Sequence, residues 1–212
     1  MRSQESAALL IATTNPAKQA RLRELVAGLP ARVQTPDELG LRLDVAEDGR
    51  THQENALLKA VGWSRHARCF ALASDGGLLL PALGGRWDSL RTQRFAGPDA
   101  DDRGRAAALL ALMSGLEVEA RRASWVEAVA LAVNGTPLAV WELRGGDGVI
   151  ATSLGSAAME PGFWVASLWA FPSLGKTYCE ASPSELARVG EPWSRLKPLV
   201  RDGLLRYVMP AL

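Results

Sequence analysis

The chain has 212 residues, of which 48% are hydrophobic, and a formal net charge of +1. This length suits one sizeable core, so we expect a single domain over residues 1–212, and the near-neutral charge gives no strong field for nucleic acid or a membrane. Residues 1–6 are polar and every apolar run is too short to span a bilayer, so we expect a soluble cytoplasmic protein with reduced, structural cysteines.

The first helix start is the most informative stretch of the sequence. Residues 9–13 predict a buried strand, and residues 16–27 predict a helix that ends before Gly28. Asn15 can cap this helix, and Pro16 suits its first position. Lys18 then lies in the first turn, where its charge opposes the helix dipole unless an anion binds there. The stretch predicts a polyphosphate site, although a solvated lysine after an ordinary cap explains it equally well.

Strands and helices alternate in the rest of the first half. In chain order we expect a strand at residues 32–35, a turn-rich connection at 36–49, a helix at 51–65, a strand at 70–73 and the start of another at 78–80. Thr51 and Glu54 fit a capping box for the second helix, with Leu57, Ala60 and Val61 as its apolar face. The strand at 70–73 is expected to end at the Ser-Asp-Gly-Gly segment that follows it.

The second half is richer in strands. In chain order we expect a helix at residues 101–113, strands at 123–133, 137–143 and 148–152, another strand near 167–171 and a closing helix near 193–208. Asn134 and Gly135 supply the turn of a hairpin between the first two of these strands. The whole pattern predicts a mixed α/β domain in which helices cover a twisted sheet.

Six segments, in this order and at this spacing, resemble the inosine triphosphate pyrophosphatase family, whose members remove non-standard purine nucleoside triphosphates. They are ATTNPAK (12–18), THQENALLKA (51–60), ASDGGL (73–78), LGG (83–85), RFAG (94–97) and GKT (175–177). The resemblance implies an elongated mixed sheet in two lobes with a central nucleotide cleft, and a homodimer. It also implies hydrolysis of the triphosphate to a monophosphate and pyrophosphate with Mg²⁺.

Asp75 is the residue that we expect to carry the chemistry. Hydrolysis of a triphosphate needs a hard cation, and Mg²⁺ prefers carboxylate oxygens, water and phosphate. Asp75 precedes Gly76 and Gly77, where a strand would run out into an open cleft. The resemblance implies that Asp75 binds the metal and orients or deprotonates the attacking water, and that Glu47 is a further metal ligand. A turn-capping aspartate and an ordinary loop glutamate are the alternatives.

The other candidate residues are implied by the resemblance. Lys59 shares a helix face with Asn55, points toward the phosphates and acts in catalysis; an exposed helical lysine is its alternative. Arg94 has a structural or phosphate-binding role, or forms a surface salt bridge. The implied substrate-binding residues are Thr13, Thr14, Asn15, Lys18, Gly76, Phe163, Trp164, Lys176, Ser194 and Arg195.

The sequence departs from the family pattern at Ser74, Ala166, Ser194 and the segment Arg86, Trp87 and Asp88. Ser74 replaces one of two adjacent aspartates, which predicts weaker Mg²⁺ binding. Ala166 replaces an aspartate that bonds the base, so Phe163 and Trp164 either stack on a base or pack in the core. Ser194 replaces a histidine that reads the purine, and the three-residue segment replaces Ala-Pro-Gly beside the expected cleft.

Three functions remain open. The first is a divergent nucleoside triphosphate pyrophosphatase with an altered base preference. The second is a catalytically silent relative that binds a nucleotide or a protein partner. The third is a different phosphohydrolase on the same scaffold, acting on pyrimidine or modified triphosphates.

Overall fold

The structure is a computed structural model that describes residues 8–156 and 158–208. Residues 1–6, on which the expectation of a soluble cytoplasmic protein was partly based, lie outside the described residues. The strands within them are β1 (Ala8–Ile11), β2 (Arg32–Gln34), β3 (Phe70–Leu79), β4 (Arg122–Val133), β5 (Thr136–Ile150), β6 (Trp169–Phe171) and β7 (Lys176–Thr177).

The strands form a mixed sheet in the order β2, β1, β3, β4, β5, β6, β7. β1 is parallel to β2 and β3, whereas β6 is antiparallel to β5 and β7. The α-helices of the described residues are α1 (Pro16–Val26), α2 (His52–Ala67), α3 (Asp102–Leu112), α4 (Pro183–Arg188) and α5 (Pro192–Tyr207). A mixed sheet accompanied by helices confirms the predicted α/β class. None of these helices is long and apolar enough to cross a membrane.

The chain divides into two compact units. Unit 1 is drawn from Met1–Asp75, Glu127–Glu142 and Leu196–Leu212, and unit 2 from Gly76–Val126 and Leu143–Arg195. Each unit has buried apolar residues of its own.

In unit 1, α2 packs against alternate residues of the strands. Ala56, Ala60 and Trp63 of α2 belong to one buried cluster with Leu10, Ala12, Ala71, Ala73, Ala128, Ala130 and Ala132. Of the apolar face that we expected, Ala60 belongs to this cluster, whereas Leu57 and Val61 are partly buried and pack against it. Because side chains alternate along a strand, Asp75 lies on the same face of β3 as Ala71 and Ala73.

In unit 2, buried aromatic rings form the core. Trp125, Phe163, Trp169, Phe171 and Tyr178 contact one another with ring centroids between 5.0 and 6.4 Å apart. Edge-on and stacked ring pairs of this kind stabilise the fold by more than the burial of their surface area alone.

Two strands are longer than the sequence predicted. β3 continues as one strand through Gly76 and Gly77, so the tertiary context overrides the weak strand preference of glycine. β5 likewise joins the strands predicted at 137–143 and 148–152. Asp75 therefore lies inside a strand, and the expected strand end before it was wrong. β7 and α4 were not predicted.

The predicted hairpin turn and the first helix are confirmed. Asn134 and Gly135 have φ values of 49° and 84°, the left-handed pair that a two-residue hairpin requires. Asn15 caps α1, and Gly28 follows the helix with a φ of 78°. The helices predicted at 101–113 and 193–208 are α3 and α5.

Candidate active site

Asp75 is held by two donors from α2. Its Oδ1 accepts a hydrogen bond from the Lys59 ammonium at 2.7 Å, and its Oδ2 lies 2.6 Å from Nδ1 of His52. All three side chains are nearly buried, with 8%, 11% and 7% of their surface exposed for Asp75, Lys59 and His52. The sequence predicted Asp75 and Lys59 as partners in catalysis, and the structure brings them into direct contact.

The start of α2 is fixed by its cap. The Thr51 hydroxyl accepts from the amide of Glu54 at 3.1 Å, which is one half of a capping box. In a complete capping box the Glu54 carboxylate would accept from the amide of Thr51. Here it accepts from the amide of Arg50, one residue earlier, at 2.6 Å. His52 is the first residue of the helix, and its side chain is directed by this cap toward β3.

Glu47 reaches the same lysine from an extended segment. Leu41, Leu43 and Val45 pack against the cluster under α2, and alternation along the segment gives Glu47 the same side. Its Oε1 lies 3.2 Å from Lys59 Nζ. Lys59 therefore bridges the two carboxylates that we predicted as metal ligands.

Gly49 and the buried Asn55 tie this segment to the helix. The Gly49 amide donates to Asn55 Oδ1 at 2.9 Å. A Cβ on Gly49 would lie 2.6 Å from the same oxygen and 2.8 Å from Cβ of Glu54. Only glycine lets the backbone approach α2 this closely, and this approach sets the distance between Glu47 and Lys59.

Lys18 belongs to the same group of charges. Burial lowers the pKa of Lys18 below its ordinary 10.5, and the charge of Lys59 lowers it further. The carboxylates of Glu127, Asp75 and Glu47 act in the opposite sense, with Glu127 the strongest of the three. We call His52, Lys18, Lys59, Asp75, Glu47 and Glu127 the charged cluster; all six belong to unit 1.

Asp75 remains ionised in this setting. Burial by itself would raise the pKa of Asp75, but the hydrogen bond from His52 and the charges of Lys18 and Lys59 outweigh it. The pKa of Asp75 is consequently held well below its usual 3.8. An ionised carboxylate held by Lys59 and His52 can bind a metal ion and can orient a water molecule.

Amides at the start of α1, where the sequence predicted an anion site, already have partners. Pro16 has no N–H, the Lys18 amide donates to Asn15 Oδ1 at 3.0 Å, and the Gln19 amide donates to the Asn15 carbonyl at 2.9 Å. Asn15 itself donates its amide to the Thr13 hydroxyl at 3.2 Å. The exposed Thr14 lies in the same loop. An anion here would therefore depend on the Lys18 ammonium more than on the helix amides.

The predicted polar residues of unit 2 have local partners. Lys176 binds both oxygens of Glu185 at 2.8 and 3.1 Å, which lowers the pKa of Glu185 to about 2. Ser194 donates its amide to the carboxylate and its hydroxyl to the carbonyl of Glu191, at 2.7 and 2.9 Å. Arg195 donates to the Arg144 carbonyl at 3.1 Å. Lys176, Ser194 and Arg195 thus bond to different groups.

Phe163 and Trp164 are packed among other rings. Phe163 contacts Trp125 and Tyr178 at centroid distances of 5.0 and 5.2 Å, and Trp164 stacks on Phe95 at 5.6 Å. Trp164 is 1% exposed. The rings adopt the core packing that we gave as the alternative to base stacking, and their contact with a base stays a prediction.

The segment at Arg86, Trp87 and Asp88 is folded back on its own unit. Trp87 donates Nε1–H to the Leu78 carbonyl at 2.7 Å, and its ring contacts Phe95 at 4.8 Å. Asp88 accepts from the amide of Leu90 at 3.0 Å.

Gly76 is a partly buried residue of β3, and the buried Ser74 hydroxyl beside Asp75 has no hydrogen-bond partner in the described residues.

Sequence reasoning missed two members of the charged cluster. His52 was considered only as part of a capping segment, and Glu127 only as part of a strand. Glu127 is 1% exposed in a strand whose neighbours are apolar. A carboxylate in the middle of such a run was a usable signal, because a buried charge needs a partner. Nothing in the sequence pattern indicated that His52 would meet Asp75.

The carboxylates of this site fit a hard cation whose remaining ligands come from water and from the substrate. No group of three or more histidine, cysteine or acidic side chains in the described residues could hold a metal by itself. Asp75 and Glu47 supply two carboxylates, and Mg²⁺ is commonly bound by one or two carboxylates together with water and substrate phosphates. The residues present therefore fit a magnesium ion that binds with a phosphate ligand.

Fold and site together define an α/β protein with a buried lysine–carboxylate centre. The Ham1 family matches residues 9–189, and the chain belongs to this family. The family resemblance inferred from the sequence is thus confirmed.

Curated relatives and a solved structure support the same assignment. The chain is 34% identical over 198 residues to the dITP/XTP pyrophosphatase of Syntrophobacter fumaroxidans, covering 93% of this chain and 82% of the relative. It is also 34% identical over 198 residues to the dITP/XTP pyrophosphatase of Geobacillus kaustophilus, covering 89% and 95%. The structure of a HAM1 protein from Coxiella burnetii superposes with a TM-score of 0.74 at 26% identity, covering 92% and 99%.

Proposed function

We propose that this chain hydrolyses non-standard purine nucleoside triphosphates, of the inosine and xanthosine type, to the monophosphate and pyrophosphate. The proposal is carried by one observation: Asp75 is a buried carboxylate whose two oxygens are held by Lys59 and His52. The names of the two curated relatives, both dITP/XTP pyrophosphatases, support the substrate class.

Lys18 and Lys59 would bind the triphosphate. The pKa of Lys18 is lowered by burial and by Lys59, so a bound polyanion would remove an unfavourable interaction between the two ammonium groups. Thr13, Thr14 and Asn15 form the loop that leads into α1, and we assign them to the phosphate end. Lys176 would reach the nucleotide only after exchanging its bonds to Glu185 for bonds to the substrate.

Asp75 and Glu47 would hold Mg²⁺ together with the triphosphate. When bound, the metal offsets charge on the phosphate that is attacked. The ammonium of Lys59 lies between these two carboxylates, so it keeps them together and reduces their mutual repulsion. The remaining lone pairs of Asp75 can accept a hydrogen bond from the attacking water and orient it.

We assign base recognition to unit 2 and expect an altered preference. Gly76, Phe163, Trp164, Ser194 and Arg195 are the candidates. The rings are buried, and the amide of Ser194 is already bonded to Glu191. Fewer polar groups are therefore left to bond a purine base than in the family pattern. We also propose a cytoplasmic homodimer that acts on small nucleotides, without nucleic acid or membrane partners; light scattering tests the dimer.

A substrate panel tests the function. Purified protein is incubated with Mg²⁺ and dITP, XTP, dGTP, dATP, dCTP or dTTP, and the products are separated by ion-exchange chromatography. We expect a monophosphate and pyrophosphate in equal amounts, with dITP or XTP turned over at least about tenfold faster than the standard purines. Release of inorganic phosphate in place of pyrophosphate would contradict the reaction, and preferred turnover of a pyrimidine would support the third function.

Asp75→Asn is the matched control, because it keeps the size of the side chain and removes its charge. The silent-relative alternative predicts no turnover by the wild type, together with a higher melting temperature in the presence of XTP or dITP. Turnover by the wild type and none by Asp75→Asn would rule that alternative out.

A further inference from the structure

His52 makes a contact that a helix cap does not require. Its Nδ1 lies 2.6 Å from Oδ2 of Asp75, and both side chains are almost completely buried. An ionised carboxylate can only accept, so the imidazole nitrogen is the donor. Charge-assisted hydrogen bonds of this length are among the stronger polar contacts in proteins.

We propose that His52 is a positioning residue for Asp75. Its Nδ1–H fixes Oδ2, while Lys59 fixes Oδ1, so that the carboxylate presents its remaining lone pairs in one orientation. This inference rests on the proposed function, since the orientation matters for the metal and the attacking water.

The geometry of α2 explains how one helix holds both oxygens. His52 and Lys59 are seven residues apart, close to two full turns, so they lie on the same face. Long side chains on a helix point toward its N-terminus, which brings the Lys59 ammonium back toward His52. Ala56 lies between them with no exposed surface, and its small side chain leaves room for Asp75.

A fixed carboxylate matters because Asp75 stands inside a strand. Asp75 belongs to β3 (Phe70–Leu79), so its backbone torsions are those of a strand, and its side-chain torsions remain to be set. With Lys59 as its single partner, the carboxylate would rotate about the Oδ1 contact. Misplacement of a reacting group by about 1 Å can cost about 100-fold in rate.

Two amide variants separate positioning from packing. Asparagine carries its N–H donor at the same number of bonds from Cα as Nδ1 of histidine, whereas glutamine carries it one bond further out. We expect His52→Gln to lower kcat at least about tenfold with KM for XTP changed less than about threefold. His52→Asn should keep kcat within about threefold of the wild type. A purely structural contact would give both variants the same kcat.

A second measurement needs no turnover. The chain has two histidines, His52 and His66, so long-range ¹⁵N–¹H spectra of labelled protein can be assigned with a single variant. We expect a proton on Nδ1 of His52 that is protected from exchange in the wild type and unprotected in Asp75→Ala. His66, which is exposed, serves as the internal control.

The outcomes are distinguishable. Equal kcat for His52→Gln and the wild type would overturn the inference and leave the proposed function standing. A wild type that hydrolyses no triphosphate would overturn the function, and the protected Nδ1 proton would then decide whether His52 holds Asp75. An Nδ1 without a proton would overturn the inference in either case. If His52→Gln fails to fold, His52→Phe replaces it with the same expected loss.

Discussion

The predicted site residues have different kinds of partner in the two units. In unit 1, residues that are distant in sequence meet in one charged cluster around Asp75. In unit 2, Lys176 pairs with Glu185 and Ser194 with Glu191, both within nine residues in the sequence. We propose that the charges gathered from separate elements form a preformed reaction centre, whereas the paired groups of unit 2 would have to exchange partners before binding a base.

The largest effect is expected in unit 1 from Asp75→Asn. This change removes the proposed metal ligand and the acceptor for the attacking water, so we expect kcat for XTP or dITP to fall by at least about 1000-fold. Pyrophosphate release under saturating substrate measures it. Retention of more than a tenth of the wild-type rate would show that unit 1 does not contain the reaction centre.

Lys59→Met should lower both stability and activity. Removing the ammonium leaves two neighbouring carboxylates without their shared donor, and breaking a buried ion pair costs about 3–5 kcal/mol of unfolding free energy. Urea unfolding measures the difference. Lys197→Met is the control, because the Lys197–Glu24 pair is exposed and also belongs to unit 1. We expect this variant to lose less than about 1 kcal/mol of unfolding free energy. Similar losses in the two variants would argue against a special role for Lys59.

Lys18→Ala should affect binding more than turnover. The ammonium is expected to contact the triphosphate in both the ground state and the transition state, so KM should rise about tenfold while kcat changes less. Steady-state kinetics with XTP separate the two constants. If kcat falls and KM does not change, Lys18 acts on the reacting phosphate and the division of roles within the charged cluster needs revision.

The pH dependence of stability should reveal the pair in unit 2. Lys176 and the backbone at Ser182 lower the pKa of Glu185 from 4.5 to about 2. A depressed carboxyl pKa stabilises the fold above pH 4.5, and this contribution is lost as the pH falls from 4.5 to about 2. Glu185→Gln should therefore melt at a lower temperature than the wild type at pH 6 and approach it near pH 2. A melting-temperature difference between the variant and the wild type that is the same at both pH values would contradict the lowered pKa of Glu185.

Ser74→Asp is expected to have the smallest effect. Ser74 alternates with Asp75 along β3 and has a buried hydroxyl without a partner in the described residues. An added carboxylate one residue from the site should lower the Mg²⁺ concentration for half-maximal activity by a few-fold, because it adds negative charge near the metal. Ser74→Asn is the uncharged control. An unchanged Mg²⁺ titration would show that the missing aspartate does not weaken metal binding.

Local patterns in the sequence predicted most of the fold. The capping residues Asn15 and Thr51 and the turn at Asn134 act through bonds within a few residues, so their effects are visible in sequence. The strand end before Gly76 was predicted wrongly, because the tertiary context, and not the weak strand preference of glycine, decides where β3 stops. The single domain over 1–212 stays a prediction.

The site was only partly predictable for the same reason. Asp75, Lys59 and Glu47 were named through a family resemblance, and their contacts depend on how α2 and an extended segment pack on β3. His52 and Glu127 were missed because their partners come from other elements. The residues assigned to the base stay predictions, since no contact within the described residues tests them.

A crystal structure of the wild type with Mg²⁺ and a non-hydrolysable XTP analogue tests the proposed site most directly. We expect the metal on Asp75 Oδ atoms and triphosphate oxygens within hydrogen-bond distance of the Lys18 and Lys59 ammonium groups. A triphosphate bound elsewhere, with Lys59 still bridging Asp75 and Glu47, would contradict it.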